Sequence, residues 1–144
     1  VLLADPAAGV IGAAHAGWRG ALAGVVDATI VAMERLGARR DRLQAAVGPC
    51  IGGRSYEVGP EFPAPFLAQD PANAAFFRAA PRAGHFLFDL AGYLVHRIGL
   101  AGVAATATRH DTLAGDHDFF SYRRNTLQGE RDYGRGLSAI ALRR

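Results

Sequence analysis

The sequence contains no lysine; all 16 of its basic residues are arginine. Its single cysteine excludes an internal disulfide framework and suits a reducing cytoplasm. Half of the 144 residues are hydrophobic. Even so, no apolar run approaches the roughly 18–20 residues a membrane-spanning helix needs. The opening residues, Val1-Leu2-Leu3-Ala4-Asp5-Pro6, lack the basic start and long apolar stretch of a signal peptide. They read as a strand already under way, and with no initiating Met further chain is expected before Val1. The net charge is only +3, and the arginines are scattered, with pairs at Arg39-Arg40 and Arg123-Arg124. Nucleic-acid binding calls for a denser basic patch or a recognisable module, and neither is present. An anionic or phosphate-bearing small ligand is easier to accommodate. There is no GxGxxG after a strand, no Walker loop, no HExxH and no GxSxG, so the commonest nucleotide-binding, metalloprotease and serine-hydrolase motifs are missing.

The residues that are present fit one domain with a real core. Val1–Ala4 and Val10–Ala14 are short apolar runs around the turn residues Asp5-Pro6-Ala7-Ala8-Gly9. They predict a hairpin whose second strand delivers His15 at its end. Leu22, Val25, Val26, Ile30, Met33 and Leu36 recur at helical spacing before Gly37, which predicts one amphipathic helix from about Gly20 to Leu36. Leu43–Val47 reads as a strand ending in the loop Gly48-Pro49-Cys50-Ile51-Gly52-Gly53. Val58–Ala68 and Pro71–Ala79 read as short helices, Phe88–Leu100 as a second long helix, and Val103–Ala107 and Ser138–Leu142 as strands. Hairpins mixed with strand–helix units indicate α+β rather than a doubly wound parallel sheet.

His15 stands where a strand ends and a helix is about to begin, a junction at which helix N–H groups can face the same space as the side chain. Gly17 and Gly20 allow a sharp turn, Trp18 offers a wall, and Arg19 can hold a carboxylate or phosphate bidentately. The imidazole is either structural or a metal ligand. Cys50 is either a small buried hydrophobe or a thiol lining a site. Asp89 is either an N-cap or a cleft carboxylate. His110 and Asp111 either line a cleft or form a solvated turn. In Phe119-Phe120-Ser121-Tyr122-Arg123-Arg124 the two Phe suit a core, while Tyr122 and the arginines suit a base and an anion, or a plain surface. His85, His96 and His117 have no partners at metal-ligand spacing.

Five motifs occur together: His15-Ala16-Gly17-Trp18-Arg19-Gly20, Gly48-Pro49-Cys50-Ile51-Gly52, Ser55-Tyr56-Glu57-Val58-Gly59, Phe88-Asp89-Leu90, and Phe119-Phe120-Ser121-Tyr122-Arg123-Arg124 with Gly134-Arg135. In this order they resemble the laccase-domain (YfiH-type) family over essentially the whole chain. The resemblance implies a layered α/β/β/α fold with mixed sheets, formed by residues 1–144 as one domain lacking its N-terminal segment. It implies a zinc site of His, Cys and His in which His15 is the last ligand and the other two lie before Val1. Three protein ligands with an open position is a catalytic arrangement. It has no room for the several copper centres of a polyphenol oxidase, so zinc is expected over copper. The implied activity is purine nucleoside phosphorolysis, on adenosine, inosine, guanosine and methylthioadenosine, with inorganic phosphate as co-substrate and adenosine deamination alongside. His15 and Arg19 would be catalytic; Trp18, Cys50, Asp89, Tyr122 and Arg123 would contact substrate. The implied protein is a cytoplasmic monomer or weak dimer whose partner is a small nucleoside. Two alternatives are a Cys/His hydrolase or amidase editing peptidoglycan precursors, and a non-catalytic nucleoside-binding module. Many relatives carry Cys-Thr where this chain has His110-Asp111-Thr112, so a role for that second Cys does not carry over.

Overall fold

A computed structural model describes residues 1–108, 110–114 and 118–143. In chain order the elements are β1 (Leu2–Asp5), β2 (Val10–Ala13), α1 (Trp18–Leu22), α2 (Val25–Arg35), β3 (Gln44–Val47), β4 (Glu57–Val58), α3 (Ala64–Gln69), β5 (Phe77–Ala79), β6 (Phe86–Phe88), α4 (Leu90–Leu100), β7 (Ala104–Ala107) and α5 (Tyr122–Leu127). They fall into two compact units. The first comprises residues 1–48, 94–108 and 138–144, and the second residues 49–93 and 109–137. Both contain helix and sheet, one sheet mixed and one antiparallel, which is the α+β organisation expected.

The first unit is built on the sheet β2-β1-β3-β7. β1 pairs antiparallel with β2 and with β3, and β3 pairs parallel with β7. Strand side chains alternate between faces. One face carries the buried Leu3, Asp5, Val10, Ala45 and Val47. α2 packs here through Val26, Ile30 and Met33, each almost fully buried. Gly12 is what lets the helix come so close, because a Cβ there would stand 2.6 Å from Met33 Sδ. The predicted single helix from Gly20 is instead two. Gly24 adopts φ +82° and breaks the ladder between α1 and α2, a conformation cheap only for glycine. The predicted stop at Gly37 is present: the N–H of Ala38 donates to Met33 O and that of Gly37 to Glu34 O, the pairing of a Schellman cap.

Asp5 ties this unit together. Its carboxylate is fully buried. Oδ1 accepts the N–H groups of Ala7 and Ala8, closing the β1–β2 turn. Oδ2 accepts the N–H of Arg39 at 2.8 Å and both Nε and Nη2 of Arg42 at 3.0 and 2.8 Å. The Arg42 hydrogen bond, followed by that from Arg39, holds the carboxyl pKa down to about 2.

The second unit is organised around aromatic rings. Phe66, Phe88 and Tyr93 are completely buried. Phe66 lies 4.9 Å from Phe88 and 5.1 Å from Tyr93, and Phe77 stacks on Phe88 at 4.8 Å. The sheet beside them, β4-β6-β5, is antiparallel. Three sequence expectations are corrected here. Val58–Ala68 contains the end of β4 before α3. Pro71–Ala79 is a 3₁₀ turn over Pro71–Phe76 followed by β5. Phe88 closes β6, and its helix starts at Leu90. The strands β5 and β6 have three residues each, too short for a period to show. A fourth correction falls on Ser138–Leu142, which takes no place in either sheet; most of it is exposed and its apolar residues have no buried face to alternate against. No helix among the described residues is long and apolar enough to cross a membrane.

Because the Asp5 pKa is lower folded than the ordinary 3.8, its stabilisation is complete above about pH 4 and is lost as the pH falls toward 2. In acid unfolding Asp5→Asn will therefore be less stable than the parent at neutral pH, and the gap will narrow over that interval. Phe88→Ala will lose about 3–5 kcal/mol in urea unfolding, the cost of emptying a fully packed aromatic site.

Candidate functional site

The β1–β2 ladder runs one pair beyond the strands: Val1 and Ala14 exchange two backbone hydrogen bonds, each 2.9 Å. His15 is the first residue past that pair, held by a rigid hairpin as the sequence suggested. Its side chain is exposed, and no described residue hydrogen-bonds its imidazole. Gly17 lies beside the ring: a Cβ there would meet His15 Nε2 at 3.5 Å, an ordinary contact distance. α1 begins at once with Trp18 and Arg19. The Arg19 guanidinium lies over the Trp18 ring, 4.5 Å from its centroid. Stacking of this kind leaves the edge of the guanidinium open for an anion, and no described carboxylate pairs with Arg19. His15, Gly17, Trp18, Arg19 and Gly20 together line a concave space of about 260 Å³. This unit therefore brings His15, Trp18 and Arg19 into one place.

The other expected residues belong to the second unit. Cys50 sits half-buried in the Gly/Pro loop and pairs with Asp111 in an isolated parallel bridge; the Thr112 N–H donates to Cys50 O at 2.9 Å. Burial, with the carboxylates of Asp89 and Asp111 adding to it, pushes the thiol pKa up to about 11. Cys50 is thus a protonated thiol at neutral pH, the opposite of an activated nucleophile. Burial also acts to raise the Asp111 pKa. Hydrogen bonds from Ser55 Oγ (2.6 Å) and from the backbone of Gly52, Leu113 and Ala114 outweigh it and bring the value below the usual carboxylate range. A Cβ on Gly52 would collide with this carboxylate.

Asp89 accepts the Gly92 N–H at 2.9 Å and caps α4. Two glycines crowd it, since a Cβ on Gly92 or Gly53 would stand 2.5 or 3.0 Å from its side chain. Arg123 donates from Nη1 to Glu57 O at 2.8 Å and lies 5.3 Å from the Tyr56 ring centroid, which commits part of its guanidinium to structure. Tyr122 is largely exposed and meets Tyr133 edge-on at 5.1 Å. Arg124 bonds the carbonyls of Phe119, Thr112 and Leu113 and so closes the segment that precedes α5. The Ser55–Asp111 contact and this closing role of Arg124 went unread in the sequence. Ser55 and Asp111 are 56 positions apart and belong to no shared motif. His117 lies outside the described residues.

A catalytic zinc centre takes three protein donors. Among the described residues no group of three His, Cys, Asp or Glu is placed to hold a metal ion. His15 has the exposure of a donor, and among the described residues it has no second and third donor beside it.

Residues 1–143 match the model of the multi-copper polyphenol oxidoreductase laccase family, and the chain belongs to it. Among curated relatives, a Deinococcus radiodurans protein named purine nucleoside phosphorylase is 44% identical over 146 residues, covering 100% of this chain and 53% of that protein. A Streptomyces griseus protein named purine nucleoside phosphorylase ORF3 is 42% identical over 131 residues, covering 90% of this chain and 51% of its own length. A crystal structure of a Neisseria meningitidis protein of the DUF152 family superposes with a TM-score of 0.77 at 35% identity, over 85% of this chain and 50% of that one. The Bacillus licheniformis protein YfiH, 24% identical, shares the fold at the same TM-score over 87% of this chain and 48% of its own. The chain thus spans about half the length of the relatives it matches.

The thiol environment gives a direct check. Ultraviolet titration of thiolate absorbance will place Cys50 near pH 11. Asp111→Asn will move that midpoint down, because it removes a negative charge that opposes ionisation.

Proposed function

We propose that this chain carries the His15–Arg19 part of a purine nucleoside phosphorylase site. The observation that carries the reading is the single concave space in which an imidazole and a guanidinium, neither engaged by a described hydrogen bond or ion pair, stand beside an indole. The names of the relatives support it. In phosphorolysis the glycosidic C–N bond of the nucleoside breaks and a C–O bond to phosphate forms; the base leaves with a proton and the sugar leaves as its 1-phosphate. Arg19 holds the phosphate by charge-assisted hydrogen bonds and keeps it beside the sugar. Its positive charge also offsets charge developing on the transferring groups. Trp18 forms the wall against which base or sugar rests. His15 is the residue here that would hold a divalent metal, zinc in our reading, and such an ion would supply Lewis-acid activation, including the activated water that adenosine deamination uses. Asp89, Arg123, Tyr122 and Cys50 are proposed as substrate contacts only through whatever atoms their structural bonds leave over. The high thiol pKa disfavours Cys50 as the nucleophile of a hydrolase.

The test is nucleobase release from inosine and adenosine by the full-length protein, with and without phosphate. Release will require phosphate and will fall at least about a hundredfold in His15→Ala, the scale on which losing one preorganised group at the reacting centre is felt. Arg19→Ala will raise KM for phosphate about 10- to 100-fold, since hydrogen bonds to charged groups are worth about 1.5–3 kcal/mol. Release that is indifferent to phosphate, or equal in His15→Ala, sinks the reading.

A further inference from the structure

In the second unit, α5 ends in a cap that folds the chain back on itself. Gly129 turns left-handed at φ +73°. Its N–H donates to Thr126 O at 3.2 Å, and the Glu130 N–H donates to Asn125 O at 3.0 Å, the Schellman pairing. The cap returns Glu130 to the side of Asn125, whose Nδ2 donates to Glu130 Oε2. Gln128, the C-cap residue, is exposed, and no described residue hydrogen-bonds its side-chain amide. Before the other end of the helix stands Phe120, 62% exposed. Part of its ring rests on Gly134, where a Cβ would stand only 2.2 Å from a ring carbon, so no larger residue fits beneath it.

Phe120, Asn125, Gln128 and Glu130, with Phe119 and Arg124, line one concave space of about 390 Å³. That volume lies within the range of small-ligand sites. Arg124 is held there by the carbonyls of Phe119, Thr112 and Leu113. A single exposed Phe on a surface needs no explanation. This one is supported from behind by main chain and borders a space whose rim carries two carboxamides and a carboxylate. An aromatic ring takes a flat heterocycle by stacking, whatever its substituents. The rim adds a requirement on the edge of that heterocycle. With Asn125 on Oε2, Oε1 of Glu130 still accepts an N–H, and no described cation pairs with this carboxylate. Gln128 Nε2 donates to a carbonyl or ring nitrogen. A ligand that satisfies both has an N–H donor next to an acceptor on one edge, the pattern that amide and carboxylate side chains read on nucleobases. A 6-oxopurine carries it as N1–H beside O6.

We propose that this space is a binding slot for a 6-oxopurine base, stacked on Phe120, with its N1–H donated to Glu130 and its O6 accepting from Gln128. That the heterocycle is a purine rests on the phosphorylase reading above; the stacking platform and the donor–acceptor edge do not. Every residue of the slot belongs to the second unit, and none of them lines the His15 space.

The experiment titrates the full-length protein with hypoxanthine, without phosphate, and follows by nuclear magnetic resonance the Phe120 ring and the side-chain amides of Asn125 and Gln128. All three will shift saturably with one dissociation constant. Unsubstituted purine has a C–H at position 6 and a bare acceptor at N1 but is otherwise the same ring system. It will bind at least about tenfold more weakly, the scale of one hydrogen bond to a charged group. Phe120→Ala will weaken hypoxanthine about 10- to 100-fold, the range for removing an aromatic from under a base, and Phe120→Tyr will restore it. Glu130→Ala will reduce hypoxanthine to the affinity of purine. Phe120 and Glu130 are both exposed, so each variant will keep the parent's circular dichroism spectrum. The absence of saturable shifts at these residues, shifts confined to Trp18, equal affinity for purine and hypoxanthine, or parental affinity in Phe120→Ala overturns the proposal. None of these readouts involves turnover. Hypoxanthine bound here with no phosphate-dependent base release would sink the phosphorylase reading alone, and base release with no binding here would sink the slot alone.

Discussion

The carboxylate of Asp5 has no water around it and five donors pointing at it. A charge in that position is tolerable only while every partner stays in place. Two of the partners come from the turn that follows β1, and the others come from the connection between α2 and β3, 34 and 37 positions along the chain. One side chain therefore fixes the β1–β2 turn and docks the second connection against it. The turn sets which residue of β2 faces which residue of β1, and a slip of one position would reverse every side chain. The place where His15 leaves the ladder follows from that register. A buried ionic knot at one end of the hairpin positions the exposed imidazole at the other.

How much of this was legible in the sequence depended on how local the cause was. The hairpin was, because Asp5-Pro6-Ala7-Ala8-Gly9 is turn chemistry between two apolar runs. The stop at Gly37 was, for the same reason. The break at Gly24 was not: Leu22, Val25 and Val26 keep helical spacing across it, and hydrophobic period carries no record of one residue turning left-handed. The strands β5 and β6 were hidden because Phe77–Ala79 and Phe86–Phe88 are too short to alternate visibly, and their identity as strands is fixed by each other and by the aromatic cluster. Asp5 itself was read as a turn residue. Its partnership with Arg42 is a tertiary contact, invisible to any local pattern.

The candidate site divides in the same way. His15, Gly17, Trp18 and Arg19 are contiguous, so their meeting in one concave space could be anticipated. Asp89 proved to be the cap of α4, and Cys50 a thiol kept protonated by burial and two carboxylates. The cap and the buried thiol are structural roles that the residue types had left open beside contact with substrate. The sequence motif Gly48-Pro49-Cys50-Ile51-Gly52-Gly53 draws attention to its cysteine, but its glycines have clear physical reasons of their own. Gly52 and Gly53 let the backbone lie directly against Asp111 and Asp89.

On the function proposed above, ligand binds at the loop leaving β2. This is tested most directly by nuclear magnetic resonance of the full-length protein, with the His15 ring and Trp18 indole signals assigned, during titration with inosine in the presence of phosphate. Both signals will shift saturably and with one common dissociation constant. Saturable shifts confined to other residues, with His15 and Trp18 unmoved, would contradict it.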